Sequence, residues 1–144
     1  MDARRGRHGW AWVVGSAVVA AVGGGLLPGE EAGALAQVFP FGAEFVLDAK
    51  QLPGSKKVPS LGLNRDGTGD IELWCSRVKA QFVVAANTVT IITGEPSARQ
   101  CPRERVRADD DLMAALGTVT GWRMDGGALV FTGSRTLRFL APTN

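Results

Sequence analysis

Tyrosine is absent from these 144 residues, and histidine occurs once, at His8. Histidine is the side chain whose unperturbed pKa suits proton transfer near neutral pH, and it is the commonest metal ligand. A domain that begins after His8 has none, which sets aside most hydrolase triads, zinc hydrolases and pH switches. An excess of one charge is also lacking: 16 Lys and Arg face 14 Asp and Glu, a net charge of +2. That balance makes no field of the kind that draws nucleic acid or an anionic membrane. Cysteine is nearly missing, with Cys75 and Cys101 alone. Two thiolates are too few for a metal site, so neither metal nor cofactor is expected. No long polar linker interrupts the chain, so a single domain with its own core is the expectation.

The N-terminus reads as an export signal. Arg4, Arg5 and Arg7 precede an uncharged stretch from Trp10 to Leu27, and Ala34-Leu35-Ala36 supplies the small-x-small pattern of a cleavage site. We expect a secretory signal peptide over 1–36 and a domain over 37–144, periplasmic or secreted. An uncleaved membrane anchor is the alternative, because Trp10 to Leu27 approaches the roughly 20 residues that cross a bilayer. Gly23 to Gly25, Pro28 and the Ala-Leu-Ala site favour cleavage. Arg4-Arg5 also permits twin-arginine export, although the following residues do not complete that signal. No cysteine ends the hydrophobic run, which excludes a lipoprotein.

From Phe45 onward, apolar residues alternate over short stretches: Phe45 and Leu47, Leu61 and Leu63, then Ile71, Leu73 and Cys75. Period two predicts half-buried strands. Further strands are expected at about Ala80 to Ala85, Thr88 to Thr93, Thr118 to Met124, Ala128 to Thr132 and Thr136 to Leu140. Asp66-Gly67, Asp125-Gly126-Gly127 and Gly133-Ser134 supply residues that tolerate positive φ between them. Between Pro102 and Gly117 the spacing of Ala108, Leu112, Ala115 and Leu116 is that of one helical face. Asp109, Asp110 and Asp111 are expected toward the helix start, capping free N–H groups and complementing the dipole, with Gly117 ending it. Together these elements predict a mainly β fold with one helix: a small, partly open, barrel-like antiparallel sheet packed by a single α-helix.

Several of these features, taken in order, resemble the META (HslJ-like) domain family. They are the opening strand Phe45-Val46-Leu47, the strand into Trp74-Cys75-Ser76, the second cysteine at Cys101, the helix Asp110 to Leu116, and the closing pair Gly127 to Phe131 and Thr136 to Phe139. The usual Gly-Cys-Asn of the family is Trp74-Cys75-Ser76 here, and its Thr-x-Met before the second cysteine is Ala98-Arg99-Gln100, so roles resting on that asparagine or methionine do not carry over. The resemblance implies a β-rich, partly open barrel with one helix in an envelope or secreted protein. Some members are heat-shock-induced, which suggests a part in stress response.

Cys75 and Cys101 form an even pair in a chain that carries an export signal, and a disulfide is the expectation. It should tie the helix to the sheet. A catalytic thiol would need a histidine or another cation to lower its pKa, and only arginines are near in sequence. Asp109 to Asp111 could offer oxygens to calcium, but consecutive helical residues point about 100° apart, so capping is the better reading. Asp66 to Asp70 has a faint calcium-loop look without the distal glutamate and reads as a hairpin turn.

Arg99, Arg103, Arg105 and Arg107 form a basic stretch that suits carboxylates or phosphates, and with Trp74 and Trp122 they are the candidate contact surface. Its bland alternative is a solvated loop neutralised by the three aspartates. Both tryptophans also fit a core or the cover of a disulfide. The function this supports is noncatalytic, by binding an envelope protein, a lipid or a small ligand at an open barrel end, in a domain expected to be a monomer. A protease-inhibitor-like barrel is the alternative, on the strand pattern from Trp122 to Leu129, with Gln37 to Ala43 as a mobile arm. An enzyme would have to rest on paired carboxylates, and nothing in the sequence pairs two of them across a cleft.

Overall fold

In three of the hairpins that link consecutive strands, the turn has a visible local cause. The computed structural model describes residues 36–97 and 99–143; the expected export segment, with Arg4, Arg5 and the run from Trp10 to Leu27, lies outside them. Strands β6 (Gly121–Asp125) and β7 (Ala128–Thr132) meet across a two-residue loop, Gly126-Gly127, with φ of 56° and 82°. Two successive positive-φ residues match the twist of paired strands. Between β2 (Ser60–Leu63) and β3 (Thr68–Glu72), the Asp66 carboxylate accepts the N–H and the hydroxyl of Thr68 at 3.0 and 2.6 Å. The third hairpin joins β4 (Arg77–Ala85) to β5 (Thr88–Thr93) through Ala86, whose φ of 52° is unusual outside glycine. Trp122 holds that loop, donating Nε1–H to the Ala86 carbonyl at 2.9 Å and its backbone N–H to Asn87 at 3.0 Å.

With β1 (Glu44–Leu47) and β8 (Leu137–Leu140), the strands run antiparallel in chain order from β1 to β8, and β8 returns to β1. The sheet therefore closes into a barrel, where a partly open one was expected. The remaining seam lies between β5 and β6, which share one registered pair, Thr88↔Gly121. Helix α1 (Arg103–Gly117) connects these two strands and packs against β5.

Alternation places one face of each strand inside. In β4, Val78, Ala80 and Phe82 are buried while Lys79, Gln81 and Val83 are exposed. The interior is filled: Phe131 stacks on Phe82 at 6.5 Å and meets Phe139 edge-on at 5.8 Å, among Leu61, Ile71 and Leu129. Gly69 is small because it must be, since a Cβ there would lie 2.6 Å from the Phe82 ring and 2.8 Å from the Gly62 carbonyl.

One mouth is closed by the segment before β1. Phe39 is buried, with its ring 5.0 Å from Trp122 and 4.7 Å from Phe41. The Gln37 side-chain amide pairs with the backbone of Met124, donating to its carbonyl at 3.1 Å and accepting its N–H at 2.8 Å. It thus occupies hydrogen-bonding groups of β6 that β5 leaves free.

Helix α1 begins earlier in the chain than its aspartates suggest. Pro102 precedes it without a side-chain cap, and Glu104 is the acid of its first turn. Asp109 to Asp111 therefore sit mid-helix and cap nothing at its start. The end is closed by Thr118, whose hydroxyl donates to the Ala115 carbonyl at 2.8 Å. Leu112, Ala115 and Leu116 form the buried face, and Asp109 lies on it with them.

Candidate functional site

Asp109 is the one buried charged residue among those described, and it has a specific task. The chain leaves β3 after Glu72 and turns through Leu73 to Ser76, with the Leu73 N–H donating to the Ser76 carbonyl at 2.8 Å. That turn aims three successive N–H groups at one point. The Asp109 carboxylate accepts Trp74 N–H at 2.7 Å, Cys75 N–H at 3.1 Å and Ser76 N–H at 2.9 Å, with the Ser76 hydroxyl at 2.9 Å as a fourth donor. Consecutive N–H groups in this arrangement make an anion-binding concavity, and here the helix supplies the anion. A buried carboxylate is tolerable on these terms, because charge-assisted hydrogen bonds replace its water. The sequence signal was present: Asp109 precedes Leu112 and Leu116 at helical spacing, an acid on the apolar stripe.

Beside it, Cys75 and Cys101 are joined, with Cα atoms 6.0 Å apart and a sequence separation of 26. Cys75 lies in the turn rather than at the end of a strand, and Cys101 lies before the helix cap. The bond therefore ties the turn to the loop that enters the helix, while Asp109 ties the turn to the helix itself. Ser97 completes the frame, its N–H donating to the Arg77 carbonyl at 2.9 Å and its hydroxyl accepting the Arg77 N–H at 3.0 Å.

Two surface grooves flank this turn. One, of about 280 Å³, has Leu73, Pro96, Val106 and Met113 as apolar lining with Arg99 and Asp110 at its edges. The other, of about 170 Å³, is polar and runs past Lys57, Glu72, Trp74, Arg77 and Arg99. Glu72 is already engaged there, paired with Arg77 and, at 3.9 Å, with Lys57. Such exposed pairs contribute under about 1 kcal/mol each.

The expected contact residues separate on folding. Arg99 and Trp74 meet at the polar groove, and Arg103 and Arg107 are exposed on the helix. Arg105 turns away, donating Nη2–H to the Gly54 carbonyl at 2.5 Å, and so fastens the 51–57 loop to the helix. Trp122 is in the barrel interior. Among the described residues, Arg99, Arg103 and Arg107 have no carboxylate partner, so the three aspartates do not neutralise them directly. Nor does any group of three or more His, Cys, Asp or Glu among those residues converge as a metal site requires.

The META domain family model matches residues 42–143, from just before β1 to the end of the described fold. The chain belongs to the META domain family. No curated protein matches it. Among solved structures, an NMR structure 13% identical covers 73% of this META domain chain and 96% of its own, with a TM-score of 0.58. An NMR structure of a protein from Burkholderia xenovorans is 17% identical over 72% of this chain and 84% of that one, with a TM-score of 0.56. At such identities the likeness shows the shared fold. A crystal structure of a DUF4847 family protein from Bacteroides vulgatus is 13% identical with a TM-score of 0.48, and the match spans 60% of that protein's length.

Proposed function

We propose that this META domain is an exported, noncatalytic module of the periplasm or the extracellular space, and that it acts by binding an envelope protein through the surface around the Cys75–Cys101 turn. The observation that carries this reading is a contrast. The barrel interior is packed with aromatic and aliphatic side chains and Phe39 closes one mouth, so the interior holds no room for a lipid or small ligand. The surface at the turn, by comparison, presents an apolar groove edged by Arg99, which has no carboxylate partner among the described residues. Export is supported by the basic start, apolar run and Ala34-Leu35-Ala36 site, and by a disulfide that suits an oxidising compartment. The noncatalytic reading rests on the want of histidine beyond His8.

The protease-inhibitor reading needs an arm free to enter a cleft. Gln37 and Phe39 hold that segment against β6 and inside the mouth, which favours the first reading. The test is a pull-down from the native envelope under oxidising conditions, comparing wild type with Arg99→Glu/Arg103→Glu. A partner retained by wild type and lost by the variant is the expected result, and the captured protein's N-terminal mass reports cleavage before Gln37. A partner held equally by both, or none at all, overturns the reading.

A further inference from the structure

The larger groove beside the disulfide turn is chemically asymmetric. Leu73, Pro96, Val106 and Met113 line it with apolar surface, and Val106 is 39% exposed, a β-branched side chain left in water on a helix. Arg99 stands on the loop side. On the helix side Asp110 stands one turn beyond Val106, and the spacing of Arg103 and Arg107 sets both guanidinium groups along the same exposed stripe as Val106 and Asp110. Arg99 thus stands across the apolar floor from Asp110, with Arg103 and Arg107 beside Asp110 on the helix; none of the three arginines has a carboxylate partner among the described residues, and the other carboxylate of the lining, Asp109, is taken up by the turn.

The walls are also fixed before anything binds. The disulfide holds the turn to the loop, Ser97 pairs with Arg77, and Asp109 holds the turn to the helix from beneath. A preformed groove spares an occupant the cost of ordering its site.

We propose that this groove docks an acidic peptide segment of a partner protein, with one aliphatic side chain on the floor and the flanking carboxylates reaching Arg99 on one side and Arg103 and Arg107 on the other. This rests on the reading that the domain works by binding at this face. Charge complementarity selects an acidic occupant. Asp110 selects a peptide over a fatty acid, because a peptide backbone offers N–H groups to that carboxylate whereas an acyl chain offers none. A groove of about 280 Å³ accepts a side chain and its neighbours rather than a folded surface.

The test is an amide-resolved NMR titration of the full chain, disulfide intact, with three heptapeptides: Gly-Glu-Glu-Leu-Glu-Glu-Gly, its Lys-for-Glu counterpart, and its Ser-for-Leu counterpart. The expected result is that the acidic leucine peptide shifts the amides of Ser76, Arg99, Val106 and Met113. The basic peptide leaves them in place, and the serine peptide binds at least about tenfold more weakly, as a lost buried Leu requires. Arg99→Gln, exposed and outside every strand and helix, weakens the acidic peptide by about tenfold or more if it makes a charge-assisted hydrogen bond. Equal binding of acidic and basic peptides, or shifts elsewhere on the barrel, overturns the proposal. If the envelope pull-down yields an Arg99-dependent partner while the acidic peptide binds nowhere, the peptide proposal falls and the binding reading stands. If both experiments are blank, both fall.

Discussion

Replacing Asp109 by alanine should do more damage than removing any other single charge from this fold. The substitution deletes one acceptor group and leaves four donors without it: the N–H groups of Trp74, Cys75 and Ser76 and the Ser76 hydroxyl. A buried donor left unpaired costs about 1–3 kcal/mol. These three residues are half-buried, so water reaches part of the turn and the low end applies. Taking about 1 kcal/mol for each N–H gives roughly 3 kcal/mol, a large fraction of the 5–15 kcal/mol typical of a domain. Relief of the carboxylate's desolvation works the other way, but the turn has no substitute acceptor. Asp109→Asn keeps one acceptor oxygen and turns an NH₂ donor toward N–H donors, so it should recover little. Urea unfolding with the disulfide intact is the assay: at an m-value of about 1.5 kcal/mol per molar, a 3 kcal/mol loss lowers the midpoint by about 2 M. Hydrogen exchange should show the amides of residues 74–76 losing protection in the same variant. A midpoint within about 0.3 M of wild type for Asp109→Ala, or full stability in Asp109→Asn, would refute the reasoning.

Further outcomes follow from the same contacts. Reducing the disulfide should cost roughly 3–4 kcal/mol on the chain-entropy model and free the 94–102 loop first, because Asp109, Leu112 and Leu116 still dock the helix; earlier exchange of helix amides than of loop amides would contradict this. Gly69→Ala should destabilise by about 1–3 kcal/mol in chemical denaturation, since its Cβ would press on the Gly62 carbonyl as well as the movable Phe82 ring. The Asp66 carboxyl is held below the ordinary aspartate range, chiefly by the Thr68 hydroxyl and next by its N–H. Its contribution to stability is therefore present above the unfolded aspartate pKa and fades as pH falls through the lower folded value. Carboxyl-carbon NMR titration should find the Asp66 pKa rising toward the ordinary range in Thr68→Val; no movement would mean that the hydroxyl bond does not form.

Where strand patterning and turn chemistry agreed, the architecture was legible from the residues alone. Strands β5 and β7 have the expected bounds, because Thr88 to Thr93 is a β-branched stretch and Ala128 to Thr132 a largely apolar one, each with turn residues beside it. The helix also lies where its apolar spacing put it. Long-range partners were not legible. Alternation through Ile71, Leu73 and Cys75 suggests a strand running to the cysteine, yet the chain turns after Glu72 because an acceptor 33 to 35 residues later draws in its N–H groups. Thr118 likewise reads as strand and instead closes the helix, so β6 starts at Gly121. The basic stretch looked uniform in sequence, and only packing separates Arg105, fastened to Gly54, from Arg99, Arg103 and Arg107 in solvent.

The central claim, that this META domain is exported and engages a partner at its disulfide face, is tested most directly by photo-crosslinking in living cells. A benzophenone amino acid would replace Gln100, exposed beside Arg99, in one strain and Val83, exposed on the β4–β5 hairpin, in another. The account predicts a discrete protein adduct from position 100 and none from position 83. No adduct from 100, or the same adduct from both, would contradict it.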